Sequence, residues 1–464
     1  MSQSVASPLK NAAYRHLFLA QVTSLVGTGL TTIALALLAF DMAGDNAGQV
    51  LGTALAIKMV AYVCVAPIAG GFAHLLPRKA TLIVLDLVRA GLILTLPFLS
   101  EPWQLYGVIF GVNVCSACFT PLFQSIIPDI LPNEQRYTKA LSYSRLAYDL
   151  ENLLSPTLAA LLLTIWSFDL LFMVNGVTFL VSALLVLITV LPKSAIAQRE
   201  ASIIKNITFG VVAYLKTPRL RGLLALHACV AAGGAMVIVN SVVYVRAHLG
   251  LGETETAYIM MASGCGSMLV ALFLPKLLER LPDRPLMVAG GSIIASALLW
   301  GMTLPGLFGV ACIWFLLGVG WSCIQTPAAR VVTRSTTDGD RAAYFSANFA
   351  LSHGAWFLGY ALAGWLGASL GLAQTFTIMA AIAFLMTLWA LKLWPTNDPV
   401  VVAHTHYAHH HDHPHTHDDN HHDHDHEGWE GPEPHIHEHR HKEVRHAHPF
   451  AIDAHHVHWP GPER

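Results

Sequence analysis

Long apolar runs recur along residues 1–394, and they constrain the fold of this chain more than any other feature. Each run covers roughly 20 residues, which at about 1.5 Å per residue is enough to cross a hydrocarbon core of about 30 Å. The chain is 54% hydrophobic and 12% charged, whereas a typical soluble domain is roughly 25% charged. The sequence therefore predicts an all-α multi-pass membrane protein.

The apolar runs predict twelve transmembrane helices in two six-helix bundles. The predicted spans are residues 14–40, 49–74, 79–100, 103–127, 139–166, 168–192, 219–246, 254–278, 285–305, 307–331, 341–368 and 372–394. We expect an N-terminal bundle over 1–192, a central loop over 193–218, a C-terminal bundle over 219–394 and a tail over 395–464. In the central loop, apolar residues recur at helical spacing and predict a short helix along the membrane interface. They are Ile203, Ile204, Ile207, Val211 and Tyr214.

Lys and Arg residues in the short loops predict the orientation of the chain. They fall on one side of the membrane, while acidic residues dominate the other side. Because cytoplasmic loops are enriched in Lys and Arg, the basic side is expected to be cytoplasmic, and an even number of spans puts both termini there. The net charge of −2 gives no indication of nucleic-acid binding.

The tail holds 21 of the 26 histidines in the chain, and they alternate with acidic residues. Imidazole and carboxylate groups are ligands for borderline divalent metals, and the absence of Cys and Met from the tail argues against Cu(I). Ni(II), Co(II), Zn(II) and Cu(II) remain possible. The candidate ligands are His404, His406, His409, His410, His411, His413, His415, His417, His421, His422, His424, His426, His435, His437, His439 and His441. With few aliphatic residues, the tail is expected to be disordered without metal, and it could be a passive metal buffer.

The fifth predicted span contains Arg145, Asp149, Glu151 and Asn152. Charged groups are costly in a membrane helix unless they face a cavity or a partner. Arg145, Asp149 and Asn152 share one helix face, while Glu151 points elsewhere. One interpretation is a structural Arg145–Asp149 pair. The other is that Asp149 or Glu151 binds a cation or carries a coupling proton.

The eleventh predicted span contains Asn348 and His353. His353 could be a hydrogen-bonded packing residue, or a metal ligand or proton relay, because imidazole titrates near neutrality. The same alternatives hold for His227 in the seventh span. Lys58 in the second span is expected to be a structural partner for an acidic residue of another span.

Residues Gly70 to Lys79 resemble the motif of the major facilitator superfamily between its second and third helices. Gly70 and the basic pair Arg78 and Lys79 match, while the motif's acid, its first arginine and its second glycine are missing. Asp86 and Arg89 resemble the charged pair that often follows this motif. The resemblance implies that these four charged residues take part in gating.

The whole chain resembles the nickel-resistance exporters of that superfamily (NreB type), which end in a histidine-rich tail. The resemblance rests on the twelve spans, the Ser144–Pro156 segment, Leu351-Ser352-His353 and the tail. It implies a monomeric exporter in the bacterial inner membrane that moves Ni²⁺, with Co²⁺ a further candidate, by proton antiport. It implies no enzymatic activity and no resident cofactor. Two alternatives stay open: an exporter of an organic compound, such as a siderophore or drug, with a metal-sensing tail, and a membrane-tethered metal buffer.

Overall fold

The computed structural model describes residues 6–192, 202–398, 401–406, 410–415, 435–440, 444–452, 456 and 459. Long α-helices dominate it. The helices are α1 (Ala12–Ala43), α2 (Ala47–Phe72), α3 (Arg78–Thr95), α4 (Pro102–Ile130), α5 (Glu134–Leu163), α6 (Phe168–Ile188), α7 (Ile203–Lys216), α8 (Pro218–Val242), α9 (Glu253–Leu278), α10 (Asp283–Gly301), α11 (Leu307–Thr333), α12 (Arg341–Leu370) and α13 (Leu372–Leu393). The predicted all-α multi-pass class is confirmed, and each predicted span lies on one long helix.

Within the described residues, ten helices are long and apolar enough to cross a membrane. The two long helices that do not meet this condition are α5 and α12. Helix α5 carries Arg145, Asp149 and Glu151 in its middle, and α12 carries Asn348 and His353. The polar residues that the sequence singles out are therefore the reason why these two helices differ from the rest.

Helices α1–α6 pack into a first bundle and helices α8–α13 into a second. The bundles meet along two seams, where α2 packs against α12 and α5 packs against α9. Helix α7 lies at the end of the molecule where the Lys- and Arg-rich loops are found, which we call the basic end. It packs on α2 of the first bundle and on α12 of the second.

Equivalent ion pairs at the basic end reflect the two-fold repeat of the chain. Arg78 at the start of α3 pairs with Asp129 at the end of α4, at 2.5 Å. Asp283 at the start of α10 pairs with Arg334 at the end of α11, at 2.7 Å. The partners are 51 residues apart in both cases. The position of the pair is thus kept in both halves, while its charges are exchanged.

Short strands occur in the histidine-rich tail, which we expected to be disordered without metal. They are β1 (Val401–His406), β2 (His410–His415), β3 (His435–Arg440) and β4 (Val444–Pro449). Strand β1 pairs antiparallel with β4, and β2 pairs antiparallel with β3. Backbone pairing satisfies the peptide groups of these segments without an apolar core, and disorder of the tail without metal stays a prediction. We call the four strands the histidine ribbon.

Close helix contact in the second bundle depends on a glycine. A Cβ atom at Gly266 of α9 would lie 2.1 Å from the carbonyl oxygen of Phe315 in α11. A Cβ atom at Gly264, two residues earlier, would have no neighbouring atom within 4 Å. We therefore expect Gly266→Ala to force α9 and α11 apart, at a cost of about 1–3 kcal/mol.

Thermal unfolding of the purified protein in detergent tests this prediction. Gly266→Ala should lower the melting temperature by several degrees. Gly264→Ala is the matched control, and it should leave the temperature unchanged or raise it slightly, because alanine favours the helix over glycine by about 1 kcal/mol. Equal melting temperatures for the two variants would contradict the prediction.

Candidate functional site

The seam between α5 and α9 is joined by a polar cluster in the middle of the two helices. Nη2 of Arg145 donates to Oδ1 of Asp149 at 2.5 Å. The Ser267 hydroxyl of α9 donates to Oδ2 of Asp149 at 2.7 Å and accepts from Nε of Arg145 at 2.9 Å. The guanidinium also lies 5.2 Å from the ring of Trp321 in α11. The predicted Arg145–Asp149 pair thus exists, and Ser267 extends it to the second bundle.

The other two candidates in α5 lie on different faces. The Asn152 amide is exposed and donates to the carbonyl oxygen of Tyr148 at 3.0 Å, so it is not part of the cluster. Glu151 is half-buried against α1, where a Cβ atom at Gly29 would lie 2.7 Å from its carboxylate. Lys58 of α2 interacts electrostatically with Glu151.

The seam between α2 and α12 brings Lys58 and His353 into one cluster. The rings of Tyr62 in α2 and His353 in α12 lie edge to face, with centroids 4.8 Å apart. Nζ of Lys58 lies 5.7 Å from the Tyr62 ring, and Lys58 interacts electrostatically with His353. Nδ1 of His353 lies 2.7 Å from the carbonyl oxygen of Phe349, so it is the donor nitrogen and Nε2 keeps a lone pair.

His227 of α8 is buried, and Asn348 links it to Tyr214 of α7 at the basic end. Oδ1 of Asn348 lies 3.2 Å from Nε2 of His227 and accepts from the Tyr214 hydroxyl of α7 at 3.0 Å. Burial raises the pKa of Tyr214, so its hydroxyl stays protonated and acts as the donor. His227 is fully buried, and Gln325 of α11 is a further side-chain neighbour of its ring. Asn348 of α12 therefore joins α7 and α8 through Tyr214 and His227.

The candidate metal ligands of the tail lie partly on the histidine ribbon. His404, His406, His410, His411, His413, His415, His435, His437 and His439 lie on its strands. His409, His417, His421, His422, His424, His426 and His441 lie outside the described residues. Three register pairs of β2 and β3 are His–His: His411 with His439, His413 with His437 and His415 with His435. They occupy alternate positions of the two strands.

Across the part of the chain that the structure describes, no three His, Cys, Asp or Glu side chains form a group that could hold a metal ion. The two histidines considered above, His227 and His353, come from different helices, α8 and α12. His353 and Glu151 come from opposite bundles and share Lys58 as a neighbour.

Charged residues close the bundles on each other at the basic end. Asp129 of α4 pairs with Arg78 and also with Arg341 at the start of α12. Arg330 of α11 pairs with Glu134 of α5 at 3.0 Å. Asp129, Glu134, Arg330 and Arg341 line a cavity of about 460 Å³ between the bundles. Arg78 is thus part of an inter-bundle contact, and Lys79 is half-buried next to it.

Asp86 and Arg89 do not belong to this contact, and their role in gating stays a prediction. Both are buried inside the first bundle, where they pair with each other. Asp86 accepts from the Ser182 hydroxyl of α6 at 2.8 Å. The Arg89 guanidinium lies over the rings of Phe119 and Phe179, at 4.1 and 4.5 Å. The pair holds α3 against α4 and α6, because a charge in hydrocarbon needs its counter-charge nearby.

A family model describes this architecture. The model of the Major Facilitator Superfamily matches residues 17–243 and 223–417, which together cover most of the chain. The chain belongs to the major facilitator superfamily. It is a multi-span membrane transporter and not an enzyme.

Two curated relatives extend the comparison of this superfamily member. An uncharacterized MFS-type transporter, YfiS of Bacillus subtilis (strain 168), is 24% identical over 327 residues, which cover 66% of this chain and 76% of the relative. Macrolide efflux protein A of Streptococcus pyogenes is 26% identical over 178 residues, which cover 37% of this chain and 43% of the relative.

Two solved structures show the same fold. The human organic anion transporter MFSD10 (TETRAN) superposes with a TM-score of 0.68 and 12% identity, over 82% of this chain and 99% of that one. A bacterial homologue of the iron transporter ferroportin, in an outward-facing state with soaked iron, superposes with a TM-score of 0.68 and 14% identity, over 82% and 98%.

Sequence reasoning missed the inter-bundle partners of the predicted residues. Ser267, Tyr62 and Tyr214 contact Asp149, His353 and Asn348 from helices far away in the chain. A serine or tyrosine in an apolar helix gives no periodic signal. A signal existed for Asp129 and Arg341, because each is a charge at a helix end on the basic side.

Neutralising Asp129 should open the basic end. Asp129→Asn removes the ion-pair partner of Arg78 and the buried partner of Arg341, which keeps only the exposed Asp338. Breaking a buried pair costs up to about 3–5 kcal/mol. We expect a cysteine introduced at Thr333, in a variant without native cysteines, to react several-fold faster with a water-soluble maleimide. Asp338→Asn is the matched control, because Asp338 is 72% exposed and its pair with Arg341 is worth at most about 1 kcal/mol. Unchanged labelling in Asp129→Asn would show that this pair does not hold the end closed.

Proposed function

We propose that this transporter exports a divalent transition metal, with Ni²⁺ as the main cargo and Co²⁺ as a further one, in exchange for protons. The observation that carries the proposal is the placement of Glu151 in the first bundle and His353 in the second, with Lys58 near both. A carboxylate and an imidazole are suitable ligands for a borderline metal ion. The histidine-rich tail supports a metal as the cargo.

A site shared between two bundles suits alternating access. In such carriers the bundles rock around a central site and expose it to one side at a time. A metal ion bound by donors of both bundles loses one donor when they move apart. Glu151 and His353 also accept protons, so protons and metal compete for the same groups. Lys58 supplies a positive charge that stabilises an ionised Glu151 when no metal is present.

The direction of transport follows from the orientation of the chain. The basic loops support an orientation with the basic end, both termini and the tail in the cytoplasm of a bacterial inner membrane. In that orientation, the polar contacts at the basic end close the bundles on the cytoplasmic side. A cytoplasmic tail that binds metal would raise the metal concentration at the entrance for export.

Export of an organic compound is the second candidate function. An apolar groove of about 460 Å³ lies between α1 and α5, and the Glu151 carboxylate is part of its wall. Such a groove suits a hydrophobic cation, because apolar walls bind its body and the carboxylate its charge. The similarity to proteins named as macrolide efflux proteins supports this candidate. In this case the tail senses metal.

Uptake of ⁶³Ni²⁺ into inside-out membrane vesicles tests the proposal. We expect accumulation that depends on an imposed pH gradient. Glu151→Gln and His353→Ala should each reduce it by at least about ten-fold, since each removes a metal ligand and a proton acceptor. Glu253→Gln is the matched control, because Glu253 is 88% exposed at the opposite end. The absence of gradient-dependent nickel uptake would contradict metal export.

Asp149 provides a separate test. Asp149→Asn should abolish nickel transport if Asp149 carries the cation or the proton, and should mainly lower stability if its role is the Arg145 and Ser267 contact. Because its oxygens are already bonded to both partners, we expect a loss of thermal stability with residual transport. Complete loss of transport in a variant of normal stability would contradict this expectation.

Truncation tests the role of the tail. A protein that ends at Asp398 keeps the partner of Arg219. It should keep gradient-dependent nickel transport but require a higher metal concentration for half-maximal rate, since the histidines of the tail concentrate metal. Complete loss of transport at saturating metal would show instead that the tail belongs to the transport site.

A further inference from the structure

The end of the described chain packs against the second bundle. Phe450, Ala451 and Ile452 directly follow strand β4 and are 3%, 5% and 4% exposed. Phe450 and Ile452 belong to the same core cluster as residues of α8, α11 and α12, and Trp459 packs against it. This apolar sequence differs from the histidine-rich part of the tail that precedes it. We call Phe450, Ala451, Ile452 and Trp459 together the return segment.

Two specific contacts attach the return segment to the basic end of the second bundle, and a third holds the segment itself together. The Tyr344 hydroxyl of α12 donates to the carbonyl oxygen of Ile452 at 2.7 Å. The Arg219 guanidinium at the start of α8 lies 5.2 Å from the ring of Trp459. Phe450 packs edge to face on Trp459, with ring centroids 5.1 Å apart. The contacts combine apolar burial with a directed hydrogen bond and a cation–π contact.

Arg219, which contacts Trp459, is itself fixed in place. Arg219 is 1% exposed, and its Nη2 lies 3.1 Å from Oδ1 of Asp398. Its Nη1 donates to the carbonyl oxygen of Arg334 at 3.3 Å. Asp398 also accepts from Nε1 of Trp394 at 2.9 Å. The binding surface is therefore built by helix ends of the second bundle and does not depend on the histidines.

We propose that the return segment is an intramolecular ligand of this surface, so that the histidine ribbon is attached to the transporter at both of its ends. Strand β1 follows α13 after a few residues, and strand β4 leads directly into the return segment. Pairing of Val401 with Pro449 brings the two ends of the ribbon together at the same place. The ribbon is then a closed loop at the basic end rather than a free tail.

The attachment point lies beside the contacts that close the bundles. Tyr344 follows the gate residue Arg341 by one turn of α12. The carbonyl group of Arg334 that binds Arg219 is at the end of α11, after Arg330. The return segment thus holds together the ends of α8, α11 and α12, two of which contact the first bundle. The proposal does not depend on the identity of the cargo.

Hydrogen–deuterium exchange of the intact full-length protein in nanodiscs tests the proposal. We expect the amide groups of residues 450–452 to exchange at least about ten-fold more slowly than in the free peptide of residues 444–464. The Phe450→Ala/Trp459→Ala double variant should lose this protection. Tyr344→Phe removes one hydrogen bond and keeps the ring, so it should accelerate exchange about five-fold. Phe308→Ala is the matched control, because Phe308 is 84% exposed, and it should change nothing.

Two results would overturn the proposal. One is exchange of residues 450–452 in the wild-type protein at the rate of the free peptide. The other is protection that disappears when the protein is diluted to one transporter per nanodisc, which would show that the segment binds a second copy. Exchange of residues 410–415 serves as an internal reference, because the pairing of β2 and β3 should not change in Tyr344→Phe.

Discussion

A charged side chain in hydrocarbon must keep its counter-charge within reach, and the arrangement of this transporter follows from that constraint. In each seam or helix end where an ionised group is buried, a partner is present: Arg145 for Asp149, Arg89 for Asp86, and Arg78 with Arg341 for Asp129. Some of these pairs lie within a bundle and fix its packing. Others cross between the bundles, and these must break when the bundles rock. The second group is therefore where packing and transport meet.

The two seams have different chemistry. The α5–α9 seam contains a fully paired carboxylate, Asp149, whose oxygens are occupied by Arg145 and Ser267. The α2–α12 seam contains aromatic rings and an imidazole, with the Lys58 ammonium group beside them. A saturated ion pair is suited to hold a contact, while a half-buried imidazole and Glu151 are better suited to exchange a bound cation or proton. Under the proposed function, the α5–α9 seam holds the bundles together and the α2–α12 seam binds the cation or proton.

The fold could be predicted from the sequence because each transmembrane span is a local run of apolar residues. Helix ends agreed to within a few residues, and the central α7 was predicted from the spacing of Ile203, Ile207 and Val211. The inter-bundle contacts were not predictable, because Ser267 and Tyr62 look like ordinary residues of an apolar helix until the fold brings them to Asp149 and His353. The ribbon was missed for a different reason: composition indicates whether a core can form, but main-chain pairing needs none.

Helices α5 and α12 are less apolar than the other ten long helices, and this has a consequence for the biogenesis of the protein. A segment that carries Arg145, Asp149 and Glu151 partitions poorly from the translocon into lipid by itself. The partner of Asp149 on α9 is made only after α6, α7 and α8 have left the ribosome. During synthesis, α5 can therefore pack on α1 and pair Asp149 with Arg145, but the contact with Ser267 forms only after α9 has been made. The α5–α9 seam is therefore completed only in the second half of synthesis. If synthesis stops before α9, the first half lacks the contact that covers α5, its most polar helix.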